Sequence, residues 1–159
     1  MGLIDRVSQL CARGGGVDAL TKEFSQLLRA SVAHYNWVGV YRVEGKELVL
    51  KGWDGPAATE HVRIPIGQGI CGLAAREDRT VVVDDVTKDA RYLQCFLHTK
   101  SEIVVPIRRG GKVVGEIDID SDRPAAFNAA DAALLEWCAE RLAEAMPPRR
   151  KRHDTRGLP

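Results

Sequence analysis

Apolar residues recur along the chain with two different spacings, and these spacings predict its elements. Near the N-terminus they repeat every three to four residues, which predicts helices over residues 2–12 and 17–34. From residue 36 the period falls to two, which is typical of a strand with one buried face. The same pattern predicts strands 36–43, 47–52, 61–66, 80–83, 101–108 and 112–120, a short helix 69–77, and a final helix from the N-cap Asn128 to Met146.

The predicted strands are joined mostly by tight turns. Glu44-Gly45-Lys46 separates the first two strands, and Gly110-Gly111 separates the last two. Because hairpins link antiparallel neighbours, we expect an α+β fold with a largely antiparallel sheet. The terminal helices then cover one face and leave the other face free for a site. The long loop over residues 84–100 is a further functional candidate, since long loops in compact domains are uncommon.

One face of the last strand is acidic. Its carboxylate residues occupy alternate positions and share that face: Glu116, Asp118 and Asp120. In the preceding strand, side chains also alternate between the two faces, which puts Glu102 on the same side as these acids. The simplest pairing register sets Glu102 opposite Asp118. This register predicts an odd-length connection, such as residues 109–111 with a bulge.

Two interpretations fit the acidic cluster of Glu102, Asp118 and Asp120. It is either a solvated strand face or a site that binds a cation or holds a proton, since clustered carboxylates raise one another's pKa. In strand 36–43, Trp37 and Tyr41 flank a glycine on one face. They either pack against the crossing loop or wall a pocket for an apolar group or a cation.

The bulk composition is that of one globular domain. Of 159 residues, 45% are hydrophobic and 28% are charged. No apolar run reaches the roughly 18 residues of a membrane span, and the N-terminus lacks the pattern of a signal peptide, so a cytoplasmic protein is expected. We expect a domain over residues 1–146 and a basic, disordered tail over residues 147–159. A weak nucleic-acid or membrane contact is the alternative for this tail.

Four cysteines occur without a CxxC pair: Cys11, Cys71, Cys95 and Cys138. Two of them, Cys11 and Cys138, lie on apolar helix stripes and are expected to act as small buried hydrophobes. The helix start near Cys71 predicts a lowered thiol pKa there. The spacing of His61 and His98 relative to Cys71 and Cys95 fits no metal motif, so no metal is expected.

The segment Gly67–Gly72 matches the pattern GxGxxG after a strand. A dinucleotide-binding fold needs repeated βαβ units, and this chain shows mostly hairpins, which argues against a nucleotide. The backbone amides at the start of helix 69–77 remain candidates for holding a ligand carboxylate.

Four segments together resemble the GAF domain superfamily and, within it, the free methionine-(R)-sulfoxide reductases. The resemblance covers roughly residues 20–145. The segments are Asn36–Tyr41, Val62–Gly72, Ser101–Pro106 and Gly115–Ser121.

This resemblance implies a six-stranded antiparallel sheet with the N- and C-terminal helices on one face and a ligand pocket on the other. It implies that Cys95 attacks the substrate sulfur and that Cys71 is the resolving cysteine, which reacts with the oxidised Cys95. It assigns the pocket wall to Trp37 and Tyr41, and ligand binding and proton donation to the acidic cluster of Glu102, Asp118 and Asp120. It also implies a homodimer without a bound cofactor, with thioredoxin as the external reductant.

The sequence departs from the family pattern at two positions. His61 stands where many members have a cysteine, which leaves resolution to Cys71 or to direct attack by thioredoxin. Phe96 follows Cys95 where members often have aspartate. Besides the reductase, two hypotheses therefore stay open. One is a non-catalytic GAF module that senses a small molecule. The other is a redox sensor in which Cys71 and Cys95 respond to peroxide.

Overall fold

A computed structural model describes residues 1–92 and 98–149. Each element predicted from the sequence is present, with small differences at the ends. In chain order the elements are α1 (Leu3–Arg13), α2 (Val17–Ser31), β1 (Trp37–Glu44), β2 (Glu47–Asp54), β3 (Arg63–Pro65), α3 (Gly69–Glu77), β4 (Val81–Val83), a 3₁₀ turn (Val86–Lys88), β5 (Ser101–Arg109), β6 (Lys112–Ser121) and α4 (Ala129–Ala145).

The strands form one six-stranded sheet in the order β3-β2-β1-β6-β5-β4, and every neighbouring pair is antiparallel. Helices α1, α2 and α4 cover one face of this sheet, as predicted. The sheet contributes the following buried residues to that core: Val38, Val40, Ile103, Val105, Ile107, Ile117 and Ile119. These are the apolar positions of the two-residue alternation in β1, β5 and β6.

Helix α4 begins where local sequence signals place it. The side chain of Asn128 accepts hydrogen bonds from the backbone N–H groups of Ala130 and Asp131. The carboxylate of Asp131 in turn accepts a hydrogen bond from the backbone N–H of Asn128 at 3.0 Å. This reciprocal capping box satisfies amides that a helix end otherwise leaves unpaired, and it confirms Asn128 as the N-cap.

The second face of the sheet is not free, contrary to expectation. A second core lies there, beneath α3 and the segments that flank it. Its large buried members are Trp37, Tyr41, Leu48, Ile64, Ile70, Leu73 and Val104. The polar face of the sheet is therefore covered by α3 and its flanking segments. As a result, the acidic residues of β6 are buried and not exposed to solvent.

The pairing of β5 with β6 differs from the expected register. Glu102 pairs with Asp120, and Asp118 faces Val104, so the prediction that Glu102 lies opposite Asp118 is wrong. The hairpin turn has only two residues, Gly110 and Gly111, with φ of 58° and 75°.

A two-residue turn alone would pair apolar positions of one strand with acidic positions of the other, and a bulge within the strands prevents this. Ile107 pairs with Gly115 and Arg108 pairs with Val113, which leaves Val114 without a partner across the ladder. The predicted bulge therefore exists, but it lies in β6 and not in the connection. Its effect is to keep the isoleucines of β5 and β6 on one face and the acids on the other.

Two arginines of the sheet hold the C-terminal end of α4. Arg109 Nη2 donates to the carbonyl oxygen of Ala143 at 2.5 Å and also to that of Met146. Arg42 Nη2 donates to the carbonyl oxygen of Pro147 at 3.0 Å. Residues 150–159 lie outside the described residues, so the disordered tail stays a prediction. Within residues 1–92 and 98–149, no helix combines the length and apolar character needed to cross a membrane.

Candidate active site

Strand β6 places three carboxylates at the centre of the enclosed face, next to the aromatic residues of β1. Each acid lies directly across from one residue of the β1 alternation. The pairs are Asp120 with Trp37, Asp118 with Gly39, and Glu116 with Tyr41.

Strand β5 borders the same acids on the other side and adds a fourth carboxylate. Glu102 faces Asp120, while Val104 faces Asp118. Side-chain burial is nearly complete, with relative exposures of 5% for Glu102, 2% for Asp118 and 3% for Asp120. The interpretation of this cluster as a solvated strand face is therefore wrong.

Helix α3 brings Cys71 onto the acidic cluster. Cys71 Sγ lies 3.9 Å from Glu102 Oε1 and donates toward it. Possible ligand atoms of Cys71, Glu102 and Asp118 all lie within 4.8 Å of one another, and all three residues are buried. This group can hold a proton or a cation.

The glycines before and within α3 explain how the helix comes so close. Gly67 has a φ of 99°, in the region that favours glycine. A Cβ on Gly72 would lie 2.8 Å from both the backbone N of Gly67 and the carbonyl oxygen of Pro65. The GxGxxG pattern thus provides a close backbone contact that sets the position of Cys71.

The thiol of Cys71 is held in its protonated form. Burial raises its pKa well above the usual value, and the nearby charges of Asp118, Glu116 and Glu102 raise it further. The lowered pKa expected from the helix start is therefore wrong. Desolvation and three carboxylates outweigh the helix dipole, whose effect is worth only about 0.3–1 kcal/mol.

The carboxyl groups of β6 are also shifted toward their neutral forms. Burial raises the pKa of Glu116 and Asp120 well above the usual range, and the charge of Asp118 adds to both shifts. Burial raises the pKa of Asp118 as well, while its interactions with Glu102 and Cys71 act in the opposite direction. Within residues 1–92 and 98–149, none of these three acids forms an ion pair with a lysine, arginine or histidine. They can therefore donate protons near neutral pH.

The indole of Trp37 lies in a slot formed by two glycines. A Cβ on Gly39 would lie 2.3 Å from Trp37 Cη2, and a Cβ on Gly55 would lie 2.3 Å from Trp37 Cδ1. Trp53 stacks on Trp37 with ring centroids 6.2 Å apart and planes 11° apart. The gap that the sequence predicted beside Gly39 is thus filled by the ring of Trp37 itself.

A small cavity lies between the edge of the sheet and α3. Its volume is about 10 Å³, which is about the space of one water molecule. The described residues that line it are His61, Ile64, Gly69, Ile70, Cys71, Glu102 and Asp118. The hydroxyl of Tyr41 donates to the carbonyl oxygen of His61 at 2.8 Å, which ties the cavity to the aromatic strand.

Six of the seven predicted site residues are therefore brought together on one face, namely Trp37, Tyr41, Cys71, Glu102, Asp118 and Asp120. The seventh, Cys95, lies outside the described residues. Glu116 is also fully buried on this face. Its alternation with Asp118 and Asp120 predicted the face, but Glu116 was not among the predicted site residues.

The comparisons with known proteins agree with this architecture. The model of the GAF domain matches residues 17–146, which is most of the chain. The chain belongs to the GAF domain family. Over 103 residues it is 38% identical to GAF domain-containing protein A of Dictyostelium discoideum, and the match covers 64% of each chain.

Two further relatives of this GAF domain have named activities. The chain is 36% identical over 97 residues to the free methionine-R-sulfoxide reductase of Escherichia coli, covering 61% of this chain and 58% of that protein. It therefore spans less than two thirds of both curated relatives. The X-ray structure of free methionine-R-sulfoxide reductase from Neisseria meningitidis in complex with its substrate is 33% identical, with a TM-score of 0.83 over 90% of this chain and 85% of that one.

Proposed function

We propose that this chain reduces free methionine-(R)-sulfoxide to methionine, with Cys95 as the attacking thiol. The observation that carries the proposal is the row of buried carboxyl groups on β6, whose pKa values burial raises, bordered by Trp37 and Tyr41 and contacted by Cys71. The relatives from E. coli and N. meningitidis, which are named as reductases of this sulfoxide, support it.

The site offers complementary groups for a free amino acid. A substrate ammonium would compensate the charge of Asp118 and Asp120, which have no ion-pair partner among the described residues. The first-turn amides of α3, at Gly69 and Ile70, are suited to the carboxylate because amides at a helix start lack intrahelical partners. Because an amino acid is much larger than a cavity of about 10 Å³, the residues lining it must move on binding.

Two half-reactions balance the chemistry. In the first, the Cys95 thiolate attacks the sulfoxide sulfur, Glu102 donates a proton, and the oxygen leaves with the cysteine sulfur, which gives methionine and a sulfenic acid. In the second, the Cys71 thiol attacks the sulfenic sulfur, so that a disulfide forms and water leaves. The carboxylate of Glu102, 3.9 Å from Cys71 Sγ, is placed to accept the thiol proton at this step and to pass it to the leaving hydroxyl, which departs as water.

Thioredoxin would then reduce the disulfide and restore both thiols, which requires a reducing compartment such as the cytoplasm. The homodimer implied by the family resemblance belongs to the same proposal. Light scattering of the purified chain measures its mass directly and separates a monomer from a dimer.

The test is a coupled assay of NADPH consumption with thioredoxin and thioredoxin reductase. Wild type should turn over free methionine-(R)-sulfoxide and leave the S epimer unreacted. Cys95→Ser should abolish turnover, whereas Cys11→Ser should retain it, because Cys11 lies in the helical core away from the acids. Full activity in Cys95→Ser would refute the role given to that thiol.

A non-catalytic sensor is the second candidate, and His61 favours it. This residue lines the cavity at the position where many family members have a cysteine. A sensor would show no turnover with either epimer, while a small ligand would still raise the melting temperature. In the redox version of this hypothesis, peroxide oxidises Cys71 and Cys95. Thiols that stay inert to peroxide would exclude that version.

A further inference from the structure

We propose that Cys71, Glu102 and Asp118 form a zinc-binding site. Each of the three side chains offers a ligand atom, these atoms lie within 4.8 Å of one another, and all three residues are buried. Metal binding at this site is separate from the proposed reductase activity, because it can be measured without turnover. Its expected effect on activity, competition with the substrate, rests on that proposed function.

The geometry is close to that of a bound ion. Zinc binds sulfur at about 2.3 Å and carboxylate oxygen at about 2.0–2.2 Å, so tetrahedral ligands of the two kinds lie roughly 3.5 Å apart. Cys71 Sγ and Glu102 Oε1 are 3.9 Å apart. Closing this distance takes an adjustment of about half an ångström. The separations to Asp118 are within 4.8 Å, so that side chain moves by about 1.3 Å at most to reach the same spacing.

The charges at the site provide a second, independent observation. Asp118 Oδ1 is buried and has no hydrogen-bond partner among the described residues. Nearby on β6, Glu116 and Asp120 also have buried oxygens without a described partner. A buried polar oxygen without a partner is costly, and a divalent cation would give Asp118 Oδ1 a partner and favour the ionised forms of the acids around it.

The donor set favours zinc over the common hard cations. A thiolate is a soft ligand that suits Zn²⁺, whereas Ca²⁺ and Mg²⁺ prefer shells of about six or more oxygens. The cavity of about 10 Å³ has no space for a hydrated magnesium ion with several waters. His61 lines the same cavity but is not among the three residues whose ligand atoms lie within 4.8 Å of one another, so its imidazole would have to turn toward the ion to become the fourth ligand.

Zinc would occupy the groups that the proposed reaction uses. It would replace the thiol proton of Cys71 and block both Glu102 and Asp118. Under the proposed function, zinc is therefore an inhibitor whose effect weakens as the sulfoxide concentration rises. Removal of zinc by a chelator would restore activity, since coordination is reversible and the released thiolate takes up its proton again.

The direct test is titration of the reduced full chain with Co²⁺, followed by displacement with Zn²⁺. We expect one equivalent of Co²⁺ to produce a sulfur-to-cobalt charge-transfer band, and Zn²⁺ to remove it. Cys71→Ser should lose the band, and Asp118→Asn should weaken binding by roughly tenfold or more. Cys11→Ser is the matched control and should keep the band, as should Cys95→Ser, which tests the other site thiol.

Several outcomes would overturn the site. They are the absence of a charge-transfer band, a band that persists in Cys71→Ser, and a band that is lost in Cys95→Ser. If Cys71→Ser does not fold, X-ray absorption at the zinc edge of wild type decides, because a missing sulfur neighbour excludes Cys71. Neither readout uses turnover, so loss of the reductase proposal would leave this test unaffected.

Discussion

Glu116 is fully buried, and both of its carboxylate oxygens lack a hydrogen-bond partner among the described residues. It lies across from Tyr41 on one side and Pro106 on the other, neither of which supplies a positive charge. Such a residue lowers the stability of the folded chain, because its carboxyl group loses hydration and gains only an interaction with the Cys71 thiol in return.

We expect Glu116→Gln to stabilise the protein in a pH-dependent way. Burial raises the pKa of this carboxyl group in the folded state, so the folded protein keeps a proton that the unfolded chain loses. Stability of wild type therefore falls as pH rises above the unfolded value of about 4.3, by up to about 1.4 kcal/mol per pH unit. Glutamine removes this dependence, so the gain should be small at acidic pH and grow toward neutral pH.

Thermal melts of wild type and Glu116→Gln between acidic and neutral pH measure this effect. Glu60→Gln is the control, because Glu60 is exposed. A difference between wild type and Glu116→Gln that does not change with pH would show that the folded and unfolded pKa values are alike.

At the scale of elements, strand β1 contributes buried side chains to both hydrophobic cores. Its even-numbered residues Val38 and Val40 pack under the helices, while Trp37 and Tyr41 enter the second core. Between these aromatics, Gly39 has no side chain, and the Trp37 ring covers it. The orientation of the Trp37 ring thus depends on the absence of a Cβ at Gly39.

Gly39→Ala is expected to displace Trp37 from its slot. The added Cβ would lie 2.3 Å and 2.4 Å from two ring atoms of Trp37, so the ring or the strand must move. Overpacking of this kind typically costs about 1–3 kcal/mol. Urea denaturation should show this loss, and near-ultraviolet circular dichroism should show a changed tryptophan environment. Glu60→Ala is the control, since Glu60 is exposed and lies outside the helices and strands. Unchanged spectra in Gly39→Ala would contradict the slot.

The β5–β6 hairpin offers a prediction in the stabilising direction. Both turn residues have positive φ, 58° at Gly110 and 75° at Gly111, as a type I′ turn requires. Asparagine tolerates this conformation and restricts the unfolded chain, so Gly110→Asn should stabilise by about 0.4–1 kcal/mol. Gly111→Val should destabilise, because a β-branched residue is strained at positive φ. Urea midpoints of the two variants should therefore move in opposite directions, and equal shifts would reject the turn type.

At the scale of the whole molecule, local signals in the sequence are enough to predict the order of elements. The helix at residues 69–77 and the N-cap Asn128 follow from neighbouring residues alone, and the structure confirms both. The two-residue alternation of strand 36–43 likewise predicts that Trp37 and Tyr41 share one face of the sheet. Such features depend on a few adjacent positions, which is why one sequence is sufficient to predict them.

Features that depend on distant contacts were not predictable in this way. The register of Glu102 depends on a bulge at Val114, and the tertiary packing of both sheet faces decides where that bulge lies. The raised pKa of Cys71 depends first on burial by tertiary packing and then on carboxylates far away in sequence. Motif spacing likewise gave no indication of a metal site, because Cys71, Glu102 and Asp118 come from three separate elements.

The end of the domain gives the last prediction, that truncation after Met146 leaves a folded protein. The described part of the removed segment contributes one hydrogen bond to the sheet, from Arg42 to the carbonyl of Pro147. Arg109 contacts the carbonyl oxygen of Met146, which becomes the terminal carboxylate and strengthens that contact by its charge. The melting temperature should therefore change little, while Arg109→Ala, which loses both contacts to the end of α4, should lower stability by about 1–3 kcal/mol. Unfolding of the truncated chain at temperatures where wild type is stable would mean that residues 147–159 belong to the domain.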